Sequence, residues 1–151
     1  MLKLFNTSSN EYIIAIISKF EVMSLLIFGK DTSKYNLISI SDDDLITDED
    51  YKKFNSYIKI YFQDDIDDIT IKKIIEFSKK DNLIIHCDAG ESRSAAVAMA
   101  ITYIKCIEKS NCKMEEFIKN CSILQNDRYT PNMAIFSKIV NYYKEHYLTK
   151  E

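Results

Sequence analysis

The side chains best suited to chemistry lie in one short segment, residues 82–94, which reads Asn-Leu-Ile-Ile-His-Cys-Asp-Ala-Gly-Glu-Ser-Arg-Ser. Its thiol, Cys87, precedes the guanidinium of Arg93 and the hydroxyl of Ser94 at a short, fixed interval. A thiolate is a strong nucleophile, and a guanidinium can bind two oxygens of one phosphate at once. Groups of these types at this spacing could hold an anion such as phosphate beside a nucleophilic sulfur atom.

The residues around Cys87 predict a strand, a tight loop and a helix in that order. Residues 83–85 form an apolar run of strand length, and an alanine-rich segment that predicts a helix begins at Ser94. A helix N-terminus offers unpaired backbone N–H groups and a positive dipole end, so it binds anions and lowers the pKa of a nearby thiol. Gly90, one of only two glycines, lets the loop backbone approach a ligand closely. The expected phosphate-binding backbone comprises Asp88, Ala89, Gly90, Glu91, Ser92 and Arg93.

The same segment resembles the active-site loop of the cysteine-dependent protein tyrosine phosphatase superfamily, His-Cys-x5-Arg followed by Ser or Thr. These residue types at these offsets arise by chance on the order of once in ten thousand. The resemblance implies a phosphocysteine intermediate on Cys87, with Arg93 and the loop backbone as phosphate ligands. It also implies that Ser94 stabilises the departing thiolate and that His86 orders the loop instead of acting as a base. The resemblance is strong over residues 58–104 and thin elsewhere.

The proton donor is expected in a second segment, because members of this superfamily use an aspartic acid from a separate upstream loop. The acidic run at residues 63–68 follows a predicted strand and suits this role. Phe62-Gln-Asp-Asp-Ile resembles a Phe-Asp-Asp-Ile-like stretch of small bacterial and viral members. Alignment on the phenylalanine favours Asp64, and a one-residue slip favours Asp65. The chain has no tryptophan and lacks the Trp-Pro-Asp triplet of the larger enzymes, so both carboxylates stay open, with Asp64 preferred.

The rest of the chain alternates predicted strands and helices. Strands are expected at residues 2–5, 36–41 and 56–62, and helices at 70–80, 113–123 and from Thr130-Pro131 onward. An earlier helix, capped by Ser8 or Ser9, is expected to carry its apolar face through Phe20, and residues 23–28 fit either helix or strand. The alternation predicts an α/β fold: a single domain over residues 1–151, with a central, mainly parallel sheet flanked by helices and a helical C-terminal layer. With the resemblance, this is a phosphatase-type fold.

Composition limits the partners and the setting of the protein. Hydrophobic residues make up 46% and charged residues 28%, and the net charge of −3 favours neither nucleic acid nor a membrane as a partner. No Cys/His ligand cluster occurs, and three consecutive acids at residues 42–44 are interpreted as an exposed turn, so neither a metal nor another cofactor is expected. No signal peptide or membrane-length apolar run is evident. We expect a cytoplasmic protein with reduced cysteines, in which Cys106, Cys112 and Cys121 are packing residues.

Together these features predict a protein phosphatase of the compact dual-specificity or small tyrosine-phosphatase type. It would hydrolyse phosphotyrosine monoesters in phosphoproteins or phosphopeptides, with phosphoserine and phosphothreonine as further candidates; its oligomeric state is not predicted. The acidic loop residues Asp88 and Glu91 disfavour polyanionic phosphoinositides. Two alternatives remain: a phosphate-binding module without turnover, and an RNA 5′-triphosphatase of the same superfamily, which the acidic charge balance does not favour.

Overall fold

A five-stranded sheet forms the centre of the protein in the computed structural model, which describes residues 2–6, 13–43, 45–89, 91–121 and 123–148. Its strands are β1 (Leu2–Asn6), β2 (Ile13–Ser18), β3 (Asn36–Ile40), β4 (Ser56–Ile60) and β5 (Leu83–Cys87). The strand order is β1-β2-β5-β3-β4. β1 is antiparallel to β2, and the other four strands are parallel to one another. The predicted α/β fold with a mainly parallel sheet is confirmed.

The inner strands are buried on both faces. Every residue of β3 and β5 is buried, whereas the edge strand β4 is partly exposed. Near-continuous apolar runs are typical of parallel strands that are covered on both sides. Because side chains alternate along a strand, Ile85 and Cys87 face one layer while Ile84 and His86 face the other.

Helices cover both faces of this sheet. The described residues contain α1 (Lys19–Ile27), α2 (Asp48–Tyr51), α3 (Asp68–Phe77), α4 (Arg93–Ser110), α5 (Met114–Asn120) and α6 (Met133–His146). Apolar residues of α3 to α6 pack on the face to which Cys87 points, and those of α1 and α2 pack on the opposite face. The long helix α4 lies against β2, β5 and α6. None of the described helices is long and apolar enough to cross a bilayer.

The prediction of one helix that starts after Ser8 or Ser9 and runs through Phe20 is wrong. Residues Ile13–Ser18 form β2 and pair in parallel with β5, and the predicted caps Ser8 and Ser9 lie outside the described residues. The isoleucines of this segment fit a helical stripe and a buried strand equally well, and the second pattern prevails because β2 lies inside the sheet. The helix begins later: Ser18 and Glu21 form a capping box for α1, which takes up most of the ambiguous residues 23–28.

Two helix starts test the capping expectations. The helix expected at residues 70–80 begins slightly earlier, at Asp68, because the Asp67 side chain accepts the backbone N–H of Thr70 and caps α3. The last helix does not start at Thr130-Pro131. Asn132 is its cap, and its side chain accepts the N–H groups of Ala134 and Ile135.

The parallel strands bring four loops to one edge of the sheet. β2, β3, β4 and β5 end at Ser18, Ile40, Ile60 and Cys87, and the segments that follow them meet at the carboxyl ends of the strands. In open α/β sheets, ligands bind in the crevice at this edge. Cys87 ends a strand in the middle of the sheet, between β2 and β3.

Candidate active site

Cys87 lies at the C-terminal end of β5 with its thiol directed toward the start of α4. The residue is 3% exposed, and its Sγ lies 3.2 Å from the Oγ of Ser94, the second residue of α4. Ser94 is itself fully buried. The sequence-predicted strand, loop and helix thus bring the thiol and the hydroxyl into hydrogen-bond contact across the loop of residues 88–92.

Arg93, the first residue of α4, is fixed from two sides. Its Nη1 donates to the backbone oxygen of Phe62 at 3.0 Å, and its Nη2 lies 3.6 Å from the carboxylate of Asp88. The guanidinium also stands over the ring of Tyr61, with 5.9 Å between Cζ and the ring centroid. The side chain is only 19% exposed. These contacts tie the guanidinium to the segment that follows β4.

Asp64 and Asp65 occupy different surroundings. Asp64 lines an open cleft of about 260 Å³ together with Gln63, Ser92, Arg93 and Asn132. Asp65 lines a separate depression, where Lys138 donates to its Oδ1 at 2.7 Å and the backbone N–H of Ile66 donates to the same oxygen. The hydrogen bond from Lys138 lowers the pKa of Asp65 below its usual value. Of the two carboxylates, Asp64 shares the cleft with Arg93.

His86 faces away from the thiol. Its Nε2 lies 2.6 Å from the Oγ of Ser39, which in turn contacts the hydroxyl of Tyr51 at 2.9 Å. The imidazole is fully buried, and burial lowers its pKa to about 4, so the ring is neutral near pH 7. The contact between this neutral ring and Ser39 links β5 to β3 on the face opposite Cys87.

The loop of residues 88–92 is anchored by its carbonyl groups, with Gly90 outside the described residues. The oxygen of Asp88 accepts the N–H of Lys19, and that of Glu91 accepts the N–H of Thr130 at 2.9 Å. The oxygen of Ser92 accepts from Ala96 inside α4 and, at 3.4 Å, from Asn132. The first residue of α1 and the segment before α6 therefore hold the loop from two sides.

Sequence reasoning missed Lys19. Its Nζ lies 3.0 Å from Asp88 and also forms an ion pair with Asp43, although its side chain is only 12% exposed. The hydrogen bond to Asp43 raises the pKa of Lys19 above its usual value. The register that pairs Ser18 with Cys87 sets Lys19 beside Asp88, and that register depends on β2 being a strand.

Solved structures with a similar fold include several phosphatases. Tk-PTP in its active form matches with a TM-score of 0.61 and 11% identity, over 95% of this chain and 97% of that one. The tyrosine phosphatase OH1 from the Orf virus matches with a TM-score of 0.61 and 15% identity, over 96% and 85%. PTPMT1 matches with a TM-score of 0.54 and 19% identity, over 87% of both chains.

This chain has the fold of the cysteine-dependent protein tyrosine phosphatases. At identities of 11–19%, the likeness is one of fold. The sequence matches no protein-family model and no curated protein.

The three cysteines other than Cys87 lie together at the far end of α4. Cys106, Cys112 and Cys121 line a cavity of about 540 Å³ beside α5. Cys121 is a buried packing residue, as predicted, but Cys106 and Cys112 are half-buried at the cavity wall. Burial raises the pKa of Cys112 to about 11 and also raises that of Cys121, which keeps both thiols protonated. Among the described residues, no group of three or more acidic, histidine or cysteine side chains could hold a metal ion.

Proposed function

We propose that this protein is a cysteine-dependent phosphomonoester hydrolase that acts on phosphoproteins, with residues 1–151 as one catalytic domain. The observation that carries the proposal is the contact between Cys87 and Ser94 at the start of α4, beside a guanidinium that lines the same cleft as Asp64. A nucleophile, a phosphate ligand and an acid are the groups that phosphate-ester hydrolysis requires. The fold shared with known phosphatases supports the same assignment.

Peptide geometry supports a phosphate cradle in residues 88–93. In a trans peptide the N–H points opposite to the C=O of the preceding residue. The oxygens of Asp88 and Glu91 point outward to Lys19 and Thr130, so the next N–H groups, those of Ala89 and Ser92, point the other way. Such donors, near a helix N-terminus, bind the oxygens of an anion. They would bind more strongly as charge spreads over the phosphoryl group in the transition state.

In the first step, the Cys87 thiolate attacks the phosphorus atom of the bound ester. A sulfur–phosphorus bond forms while the bond from phosphorus to the leaving oxygen breaks. Arg93 binds two of the remaining phosphoryl oxygens, and Asp64 gives its proton to the leaving oxygen. The products are the free alcohol or phenol and a phosphocysteine.

In the second step, water attacks the phosphocysteine and Asp64, now ionised, accepts a proton from that water. The sulfur–phosphorus bond breaks, inorganic phosphate leaves, and Cys87 departs as a thiolate. Ser94 donates a hydrogen bond to the sulfur at this stage, and the 3.2 Å contact supports that role. His86 takes no proton, since it is neutral and lies on the other face of β5.

We assign the role of general acid to Asp64 because the two carboxylates have different surroundings. A general acid must be protonated and within reach of the leaving group. Asp65 is held by Lys138, and this ion pair favours its ionised form. Asp64 lines the cleft beside Arg93, where the phosphate of a substrate would bind.

The substrate class we infer is phosphotyrosine in proteins or peptides, with phosphoserine and phosphothreonine as further candidates. The side chain of Asp88 is 52% exposed and Glu91 is exposed, so the mouth of the loop carries negative charge. This charge disfavours polyanionic lipids and RNA ends relative to a single phosphate group. A thiolate nucleophile works only while it stays reduced, so we infer a cytoplasmic setting.

The test is hydrolysis of an aryl phosphate by the purified protein. We expect vanadate-sensitive turnover in the wild type and its loss, by a factor of about a thousand or more, in Cys87→Ser. Cys87→Ser should still bind a phosphotyrosine peptide. The matched control is Cys106→Ser, which removes a thiol at the far end of α4 and should leave turnover intact.

Each alternative gives a different result. Phosphopeptide binding by the wild type without any turnover would contradict the proposal and identify a phosphate-binding module. Release of the terminal phosphate from triphosphate-ended RNA, faster than hydrolysis of any phosphopeptide, would identify an RNA 5′-triphosphatase instead.

A further inference from the structure

An acidic side chain stands at the mouth of a loop that is to bind a dianion. The two carboxylate oxygens of Asp88 are shared: Oδ1 lies 3.0 Å from Lys19 Nζ, and Oδ2 lies 3.6 Å from Arg93 Nη2. A carboxylate beside the phosphate-binding guanidinium competes with phosphate for the same donors. Without another partner, it would lower the affinity of the loop for its ligand.

Lys19 supplies that partner from a fixed position. Its backbone N–H donates to the backbone oxygen of Asp88 at 3.3 Å, so the main chains of the two residues are joined as well as their side chains. The Lys19 ammonium also pairs with Asp43, in the segment after β3. Because β5 lies between β2 and β3, this ammonium, which follows β2, pairs with one carboxylate that follows β5 and one that follows β3.

The charges of this cluster balance. Lys19 and Arg93 contribute two positive charges, and Asp43 and Asp88 contribute two negative charges. The distances favour the ion pair of Asp88 with Lys19 over that with Arg93, since the N–O separation is 3.0 Å for the ammonium and 3.6 Å for the guanidinium. Removing the ammonium would leave a net negative cluster and would let Asp88 move fully onto Arg93.

We propose that Lys19 is a positioning residue that holds the Asp88 carboxylate away from Arg93 and so keeps the guanidinium available to phosphate. This inference rests on the proposed function for the identity of the ligand. It adds that the affinity for phosphate is set by a residue of α1, outside the cysteine-to-arginine loop. Asp43 shares the Lys19 ammonium with Asp88 and so competes with it for the same charge.

Binding of inorganic phosphate, followed by amide NMR without any turnover, tests the proposal. Lys19→Met should raise the dissociation constant about tenfold, because one nearby charge is lost and a competitor is released. In the double variant Lys19→Met, Asp88→Asn, the dissociation constant should return to within about threefold of the wild-type value, since the competing carboxylate is gone. The control Lys53→Met makes the same charge change in an exposed pair with Asp50 and should bind phosphate like the wild type.

Turnover gives a second readout. In Lys19→Met, the KM for an aryl phosphate should rise about tenfold while kcat changes by less than about threefold, the pattern of lost binding. A general structural defect would lower kcat and would not be rescued by Asp88→Asn. If Lys19→Met fails to fold, Asp43→Asn provides the opposite test: it removes a negative charge and should tighten phosphate binding about threefold.

Unchanged phosphate affinity in Lys19→Met, no rescue by Asp88→Asn, or weaker binding in Asp43→Asn would each overturn the proposal. The results that would overturn the role of Lys19 differ from those that would overturn the proposed enzyme activity. Absence of hydrolysis by the wild type, together with the predicted order of phosphate affinities, would refute the enzyme and support Lys19. Hydrolysis by the wild type, together with unchanged phosphate binding in Lys19→Met, would support the enzyme and refute the role of Lys19.

Discussion

Burial of His86 predicts a loss of stability in mild acid. The imidazole is fully buried against Ser39, and burial lowers its pKa from 6.5 to about 4. Below pH 6.5 the unfolded chain gains a proton at this site that the folded protein does not accept. The free energy of unfolding therefore falls as the pH drops from about 6.5 to about 4, and the full contribution is present above 6.5.

The magnitude follows from the size of the pKa change. Each pKa unit corresponds to about 1.4 kcal/mol, so His86 should account for a loss of about 3 kcal/mol across this range. Carboxyl groups with shifted pKa values act at lower pH: the pKa values of Asp43 and Asp65 are lowered from 3.8, so their contributions disappear in stronger acid. The decline between about pH 6.5 and 5 should thus report His86.

Urea denaturation at a series of pH values measures this decline. His86→Gln cannot titrate, so its stability curve should be nearly flat over the same range although it starts from a lower value. The matched control is His146→Gln, since the chain has two histidines and His146 lies exposed at the end of α6. A wild type whose stability does not decline above pH 5, or a His86→Gln variant that declines as steeply as the wild type, would contradict this role of His86.

Three further predictions concern the acid, the leaving thiolate and a helix cap. Asp64→Asn should slow hydrolysis of an alkyl phosphate about a hundredfold, and Asp65→Asn less than about threefold, in steady-state assays; the opposite order would transfer the acid role to Asp65. Ser94→Ala should slow breakdown of the intermediate on Cys87 about tenfold, so that a burst of released phenol precedes slow turnover; a uniform loss without a burst would argue against this role. Asp67→Ala should lower the free energy of unfolding by about 1 kcal/mol without changing activity, because it removes the cap of α3; a larger effect on activity than on stability in urea would contradict its assignment as a cap.

Sequence alone predicted the parts of the fold in which local pattern and tertiary context agree. β3, β4, β5, α3 and α4 combine a clear apolar period with a distinct start or end, and each lies where it was expected. β2 was missed because its isoleucines satisfy a helical and a strand pattern together. Only pairing with β5 decides between them, and that pairing is a long-range property.

The candidate site likewise contains residues that local sequence predicts and residues whose position depends on long-range strand pairing. The spacing of Cys87, Arg93 and Ser94 is local, since one strand, one loop and one helix hold all three. Asp64 came from resemblance, and its cleft, next to Arg93, forms only when β4 and β5 lie in one sheet. Lys19 had no sequence signal, because its contact with Asp88 follows from the register of β2.

Chemical identification of the intermediate tests most directly whether Cys87 is the nucleophile. Wild-type protein is mixed with an aryl phosphate, quenched in acid within the first turnover, digested and analysed by mass spectrometry. We expect one phosphoryl group on the peptide that carries Cys87, bound to sulfur and absent from Cys87→Ser. Hydrolysis with the phosphoryl group on another residue, or turnover that persists in Cys87→Ser, would contradict it.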